Sequence, residues 1–100
     1  MVAHGLSTFA ALIQCFSADL AALVSEEAPH DLDPVGFIHL VERARDVLAA
    51  TGGTPLQGAQ ECLDRAASRL TDALTSSGAD QRSLLVRARM YLREATDTTC

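Results

Sequence analysis

The sequence predicts an all-α protein, a single-domain antiparallel four-helix bundle. Apolar residues recur at three- and four-residue spacing in four segments, which is the periodicity of helices that bury one face. The 100-residue chain has the size of one domain and contains only four aromatic residues. Cores built from leucine, valine and alanine are typical of helical bundles. Short connections between the helices favour antiparallel neighbours.

The first helix is predicted over residues 7–28, with Ser7 as its N-cap and Pro29 ending it. Its buried face is predicted to contain Phe9, Leu12, Ile13, Phe16, Leu20, Leu23 and Val24. We expect residues 1–6, which precede this helix, to be frayed.

The second helix is predicted over residues 34–50, because Asp33 supplies an N-cap and Pro34 suits the first helical position. Gly52 and Gly53 are expected to end it. Its predicted core face is Phe37, Leu40, Val41, Ala44, Val47 and Leu48.

The third helix is predicted over residues 55–77, since the sequence from Thr54 to Gln57 has the spacing of a capping box with proline in its first turn. The residues predicted to be buried are Leu56, Ala59, Leu63, Ala66, Ala67, Leu70, Ala73 and Leu74.

The fourth helix is predicted over residues 81–96, after a break at Ser77 and Gly78 and with Asp80 as its cap. We expect residues 97–100 to fray. The inward positions are predicted to be Leu84, Leu85, Ala88, Tyr91, Leu92 and Ala95.

The first helix also carries a second stripe, opposite its apolar face, which we call the small-residue stripe. Its members are Ala11, Cys15, Ala18 and Ala22. Small side chains let two helices approach closely, so this stripe favours a homodimer formed through the first helix. Two other interpretations remain open. Alanine is the best helix former and suits a solvent face, or the stripe is buried within the monomer.

The fourth helix carries the main basic feature of the chain, three arginines that share its outward side with two apolar residues. This arginine face consists of Arg82, Val86, Arg89, Met90 and Arg93. Arginine and methionine are enriched in protein interfaces, so the face is a candidate site for a protein partner. The alternative is an ordinary solvated face, because scattered exposed apolar residues are common.

A different hypothesis is a cleft between helices that binds an anionic small molecule. Arg45, Arg87 and Tyr91 lie at the margins of their apolar stripes and are the candidate ligand-binding residues. The simpler interpretation is that the arginines lay their aliphatic stems over the edge of the core. We find no catalytic set of residues, and an enzyme is the less favoured alternative.

Composition and charge argue against several classes of function. The net charge of −5 disfavours nucleic-acid binding and a helix-turn-helix DNA binder. The apolar part of the first helix is too short and too interrupted to span a membrane. Cys15, Cys62 and Cys100 lack the spacing of a zinc site or a disulfide framework, which fits a reducing cytoplasm. We expect neither a metal nor another cofactor.

The sequence therefore predicts a small cytoplasmic interaction or regulatory protein that acts by protein–protein binding and self-associates through its first helix. The alternative is a small helical enzyme or an accessory protein of biosynthesis that binds an anion. The complete absence of lysine and asparagine indicates a GC-rich, bacterial genome.

Overall fold

The protein is a bundle of four α-helices, as the sequence predicts. The computed structural model describes residues 9–27, 32–51 and 54–99. The helices are α1 (Phe9–Leu23), α2 (Pro34–Thr51), α3 (Thr54–Leu74) and α4 (Gly78–Thr99). No strand is present in these three ranges. The all-α class and the number of helices are thus confirmed.

The helices pack in a ring, in chain order. α3 lies between α2 and α4 and contacts both extensively, whereas α1 contacts α2 and, to a smaller extent, α4. An ion pair between Arg45 of α2 and Asp64 of α3 links two antiparallel neighbours at mid-height. α1 is therefore the helix with the least support inside the bundle.

The core is built from aliphatic side chains that follow the predicted stripes. The largest fully buried residues are Phe37, Leu12, Leu20, Leu40, Leu63, Leu70, Leu85, Leu92 and Val41. Ala21 and Ile38 are also buried, although neither was predicted to be. The buried hydroxyls of Ser17 and Thr96 donate to carbonyl oxygens of their own helices, those of Ile13 and Arg93. Such internal bonds explain how polar side chains enter an apolar core.

The prediction that Leu74 is buried is wrong, because 41 % of this residue is exposed. Leu74 is the final residue of α3, so no further turn of that helix follows it. Leu74 is on the core-facing side of α3, but along the helix axis it lies at the end of the bundle. The side chain of Leu56 lies outside the described residues.

α1 ends at Leu23, well before the predicted end at residue 28. Ser25 adopts a left-handed backbone conformation with a φ of 58°. The backbone N–H of Glu26 donates to the Ala21 carbonyl at 2.9 Å, and that of Ser25 donates to the Ala22 carbonyl at 3.2 Å. This pattern is a Schellman motif, which satisfies the last helical carbonyls. The proposed cap Ser7 lies outside the described residues.

The boundary between α3 and α4 lies three residues earlier than predicted on both sides. α3 ends at Leu74 because the Thr75 and Ser76 hydroxyls both donate to the Asp72 carbonyl, which competes with helical continuation. α4 begins at Gly78, which has a φ of 61°. Glycine adopts this left-handed conformation without steric strain because it has no Cβ atom. Asp80 consequently lies inside the first turn of α4 rather than capping it.

α4 continues to Thr99, beyond the predicted end at residue 96. The α2 boundaries, by contrast, agree with the prediction to within one residue. Asp33 caps α2 as predicted, because its Oδ1 accepts the backbone N–H of Gly36 at 2.8 Å. A Cβ at residue 36 would lie 2.8 Å from the same oxygen, so glycine leaves room for the cap.

Replacing Asp33 tests whether its side chain caps α2 and stabilises the protein. Asp33→Ala is expected to lower the free energy of unfolding by about 1 kcal/mol, since the first turn loses an acceptor for its N–H groups. Chemical denaturation measures the change. The matched control is Glu61→Ala, which removes an exposed carboxylate from the middle of α3. Equal effects of the two substitutions would refute the capping role.

Candidate functional site

The outward side of α1 exposes the small-residue stripe. Cys15, Ala18 and Ala22 are exposed, and Ala11 is half-buried. The stripe lies on the side of α1 opposite to Leu12, Phe16 and Leu20, which face the core. The structure therefore brings these four residues together on one surface. It excludes the interpretation that Cys15, Ala18 and Ala22 are buried within the monomer.

Few polar groups accompany the stripe. Between Phe9 and Leu23, the only charged residue is Asp19 and the only other polar residues are Gln14 and Ser17. Ser17 is buried, so Gln14 and Asp19 alone supply polar side chains to the solvent side of α1. Helices with apolar residues on all sides are usually covered on all sides. α1 has this composition, yet the residues that the structure describes cover one side of it only.

The arginine face of α4 lies at the surface, as predicted. Arg82, Val86, Met90 and Arg93 are exposed and Arg89 is half-buried. Met90 has 60 % of its surface exposed and Val86 has 40 %, which are high values for large apolar residues. None of the ion pairs formed among the described residues involves an arginine of α4.

The structure brings together two of the three residues predicted for an anion-binding cleft. Arg87 and Tyr91, one turn apart on α4, line a surface depression of about 260 Å³ together with Met90 and Glu94. Arg45 lies elsewhere, in the separate depressions along α2. The three residues do not converge on one cleft, because α2 and α4 are diagonal members of the bundle.

Arg45 instead has a structural partner. Its Nη1 donates to Asp64 Oδ1 at 2.9 Å, and its Nε donates to Asp46 Oδ1 at 3.2 Å. Partial burial opposes the charged form, but the two carboxylates outweigh it and raise the pKa of Arg45. This arginine is therefore occupied in linking α2 to α3.

A groove between the end of α3 and the start of α4 has mixed charge. Asp72, Asp80 and Arg87 line it together with three hydroxyl side chains, and its volume is about 490 Å³. The sequence does not predict this groove, because the groove depends on the loop at residues 75–77, and residues 75–77 were predicted to be helical. The groove is open to solvent. Its residues do not indicate a particular class of ligand.

Cys62 of α3 makes a contact that the sequence analysis also missed. Its Sγ donates to Glu94 Oε2 of α4 at 3.5 Å. Burial raises the pKa of the Cys62 thiol, and the hydrogen bond to the Glu94 carboxylate raises it further. A thiol held in its protonated form is a poor nucleophile. Cys62 thus contributes to the contact between α3 and α4.

Other kinds of site find no support in the part of the chain that the structure describes. In residues 9–27, 32–51 and 54–99, no three His, Cys, Asp or Glu side chains gather where they could hold a metal ion. Within the same ranges, none of the helices has both the length and the apolar character needed to cross a membrane.

Comparison with known proteins gives no family assignment. No protein-family model matches the sequence, and neither curated proteins nor solved structures show a significant match.

Removing the Glu94 charge is expected to make Cys62 more reactive. In Glu94→Gln the pKa of the thiol falls, so at mildly alkaline pH a larger fraction is thiolate and alkylation by iodoacetamide accelerates severalfold. Mass spectrometry of proteolytic peptides measures Cys62 separately from the other cysteines. Asp46→Asn, which removes a distant carboxylate, is the control and should leave the rate unchanged. A rate that Glu94→Gln does not alter would contradict the assigned contact.

Proposed function

We propose that this chain is a small cytoplasmic bacterial protein that works by binding other proteins. It uses two surfaces on different helices. The outward side of α1 binds a second copy of the chain, and the arginine face of α4 binds another protein. The proposal rests chiefly on one observation: α1 has an apolar composition on both sides, and the described part of the chain buries only one of them.

The small-residue stripe has a spacing that suits a symmetric dimer. Its members are separated by four, three and four residues, so the stripe has the same spacing in both chain directions. Two antiparallel copies of α1 related by a two-fold axis can therefore match it to itself. In that arrangement Cys15 lies opposite Ala18 of the partner subunit, and Ala11 lies opposite Ala22 of the partner subunit.

Side-chain size favours the same arrangement. Because three of the four members are alanine and the fourth is cysteine, nothing large separates the two helices, and their backbones can approach closely. Gln14 and Asp19 lie on either side of the stripe and remain at the edge of the interface, in contact with water. The alternative, a solvent face filled with a good helix former, predicts a monomer.

Ala18→Arg tests the dimer. A long charged side chain at the centre of the stripe prevents close approach, so the wild type is expected to be a dimer and the variant a folded monomer. Light scattering after gel filtration, at several protein concentrations, measures the mass. Circular dichroism verifies that the helices remain intact.

The matched control is Ala49→Arg, which places the same side chain at an exposed alanine of α2. This variant should remain dimeric. A wild type that stays monomeric at high micromolar concentration would refute the proposal. Equal dissociation by both substitutions would show that added charge, and not the stripe, controls association.

A second candidate function is binding of an anionic small molecule, as expected of an accessory protein in biosynthesis. The observation in its favour is the depression that Arg87 lines together with Tyr91 and Met90. An arginine next to apolar surface suits a ligand with a carboxylate and a hydrophobic body. The site lacks Arg45, and the depression is open to solvent, so the affinity should be weak.

Benzoate, an aromatic carboxylate, tests the second candidate. Titration to millimolar concentration is expected to shift the NMR resonances of Arg87 and Tyr91, and Arg87→Gln should abolish these shifts because the carboxylate loses its partner. Arg82→Gln is the control, since Arg82 lies outside the depression. Shifts that spread evenly over the protein, or that persist in Arg87→Gln, would eliminate this candidate.

A further inference from the structure

Val86 and Met90 form an exposed apolar pair in the middle of α4. They lie one helical turn apart, and both point away from the buried residues Leu85, Ala88 and Leu92. Beside Met90 is the depression of about 260 Å³ that Arg87, Tyr91 and Glu94 also line. A large apolar side chain from another molecule can enter it. The surface therefore offers a small hydrophobic centre with one recess, as anchor residues require.

Arginines surround this centre on both sides. Arg82, Arg89 and Arg93 lie along one edge, and Arg87 lies along the other, where Glu94 is also exposed. Elsewhere in the bundle, Arg43 binds Glu26 at 2.6 Å and Arg45 binds Asp64 at 2.9 Å. The α4 arginines form no such pairs among the described residues. Four guanidinium groups therefore remain available to carboxylates.

The charge of this face contrasts with that of the whole chain. Half of the eight basic residues lie between positions 82 and 93, although the net charge of the chain is −5. A patch whose sign opposes that of the protein selects partners of the other sign. Arginine suits this role because its planar fork holds a carboxylate through two hydrogen bonds.

We propose that the arginine face of α4, together with Arg87, docks an acidic amphipathic helix of a partner protein. Its apolar residues would contact Val86 and Met90, with one anchored beside Tyr91, and its carboxylates would pair with the flanking arginines. This inference rests on the proposed function, because it specifies the partner of a surface that the function already assigns to protein binding.

Two other occupants fit the face less well. A second copy of α4 would set arginines against arginines, which is unfavourable when the charges are desolvated. A nucleic acid would contact the same arginines, but the net negative charge of the protein would repel its phosphates. Tyr91, the only aromatic residue of α4, is half-buried and poorly placed to stack on a base. An acidic helix satisfies both the charge and the apolar centre.

The probe is a synthetic helix of about four turns, with leucines at positions i and i+4 and glutamates beside them. A second peptide replaces each glutamate with lysine, and a third replaces each leucine with serine. Binding to the full chain is followed by NMR chemical shifts and fluorescence anisotropy. We expect the acidic peptide alone to bind, with shifts at Val86, Met90 and Tyr91, and added salt should weaken it.

Charge reversal locates the interaction. Arg93→Glu is expected to weaken binding of the acidic peptide by about tenfold or more, because it places like charges in contact. Arg65→Glu makes the same change in charge at an exposed position of α3 and should leave the affinity nearly unchanged. Equal weakening by both variants would overturn the inference, since it would reveal only a response to net charge.

Two further outcomes would overturn the assignment of the partner. One is equal affinity for the lysine peptide; the other is tighter binding of a single-stranded oligonucleotide to the same face. Self-association is measured separately, using Ala18→Arg. A protein that dimerises through α1 but does not bind the acidic peptide would refute only the partner class assigned to α4, whereas a monomer that binds the peptide would refute only the dimer.

Discussion

The close packing of α3 against α2 and α4 is the constraint on which the rest of the bundle depends. Its buried stripe alternates leucine with alanine: Ala59, Leu63, Ala66, Ala67, Leu70 and Ala73. The alanines allow neighbouring helices to approach, and the leucines fill the space between them. Because α3 takes part in the two most extensive helix contacts, the positions of α2 and α4 are set by it.

This arrangement explains why α1 differs from the other helices. α1 does not lie beside α3 and packs only on α2 and, less extensively, on α4. One apolar side is enough for those contacts. On the opposite side, Cys15, Ala18 and Ala22 are exposed and pack on none of the helices α2 to α4 within the described residues. An exposed apolar surface of this kind is what a protein interface requires before its partner binds.

The arginine face follows from the same packing. α4 directs Leu85, Ala88 and Leu92 toward the core, which fixes Arg82, Val86, Met90 and Arg93 on the outside. No carboxylate of the neighbouring helices pairs with these arginines among the described residues. The packing of the core thus presents charge and apolar surface together on one rigid helix, which holds a binding surface more firmly than a loop does.

The sequence predicted helix faces well because a helical period needs only local information. It predicted the start of α2 because Asp33 and Pro34 are strong start signals. It misplaced the ends of α1 and α3 because the decisive features, the left-handed Ser25 and the hydroxyls of Thr75 and Ser76, are weak signals in a sequence.

The candidate sites show the same division between local and long-range information. Arg87 and Tyr91 come together because they lie one turn apart on the same helix. The positions of Arg45 beside Asp64 and of Cys62 beside Glu94 depend on the register between two helices, which periodicity within one helix does not specify. The small-residue stripe of α1 and the arginine face of α4 could be predicted from the sequence, because each lies on a single helix.

The central claim, a two-fold interface between antiparallel copies of α1, is tested most directly by disulfide cross-linking between two variants. One retains Cys15 and carries Cys62→Ser and Cys100→Ser; the other adds Cys15→Ser and Ala18→Cys to the same background. Residues opposite each other across closely packed helices can reach the short Cα separation that a disulfide requires. The account predicts that mild oxidation of the mixture links residue 15 of one variant to residue 18 of the other, faster than either variant links to itself. Cross-linking that is no faster between the variants than within each of them would contradict it.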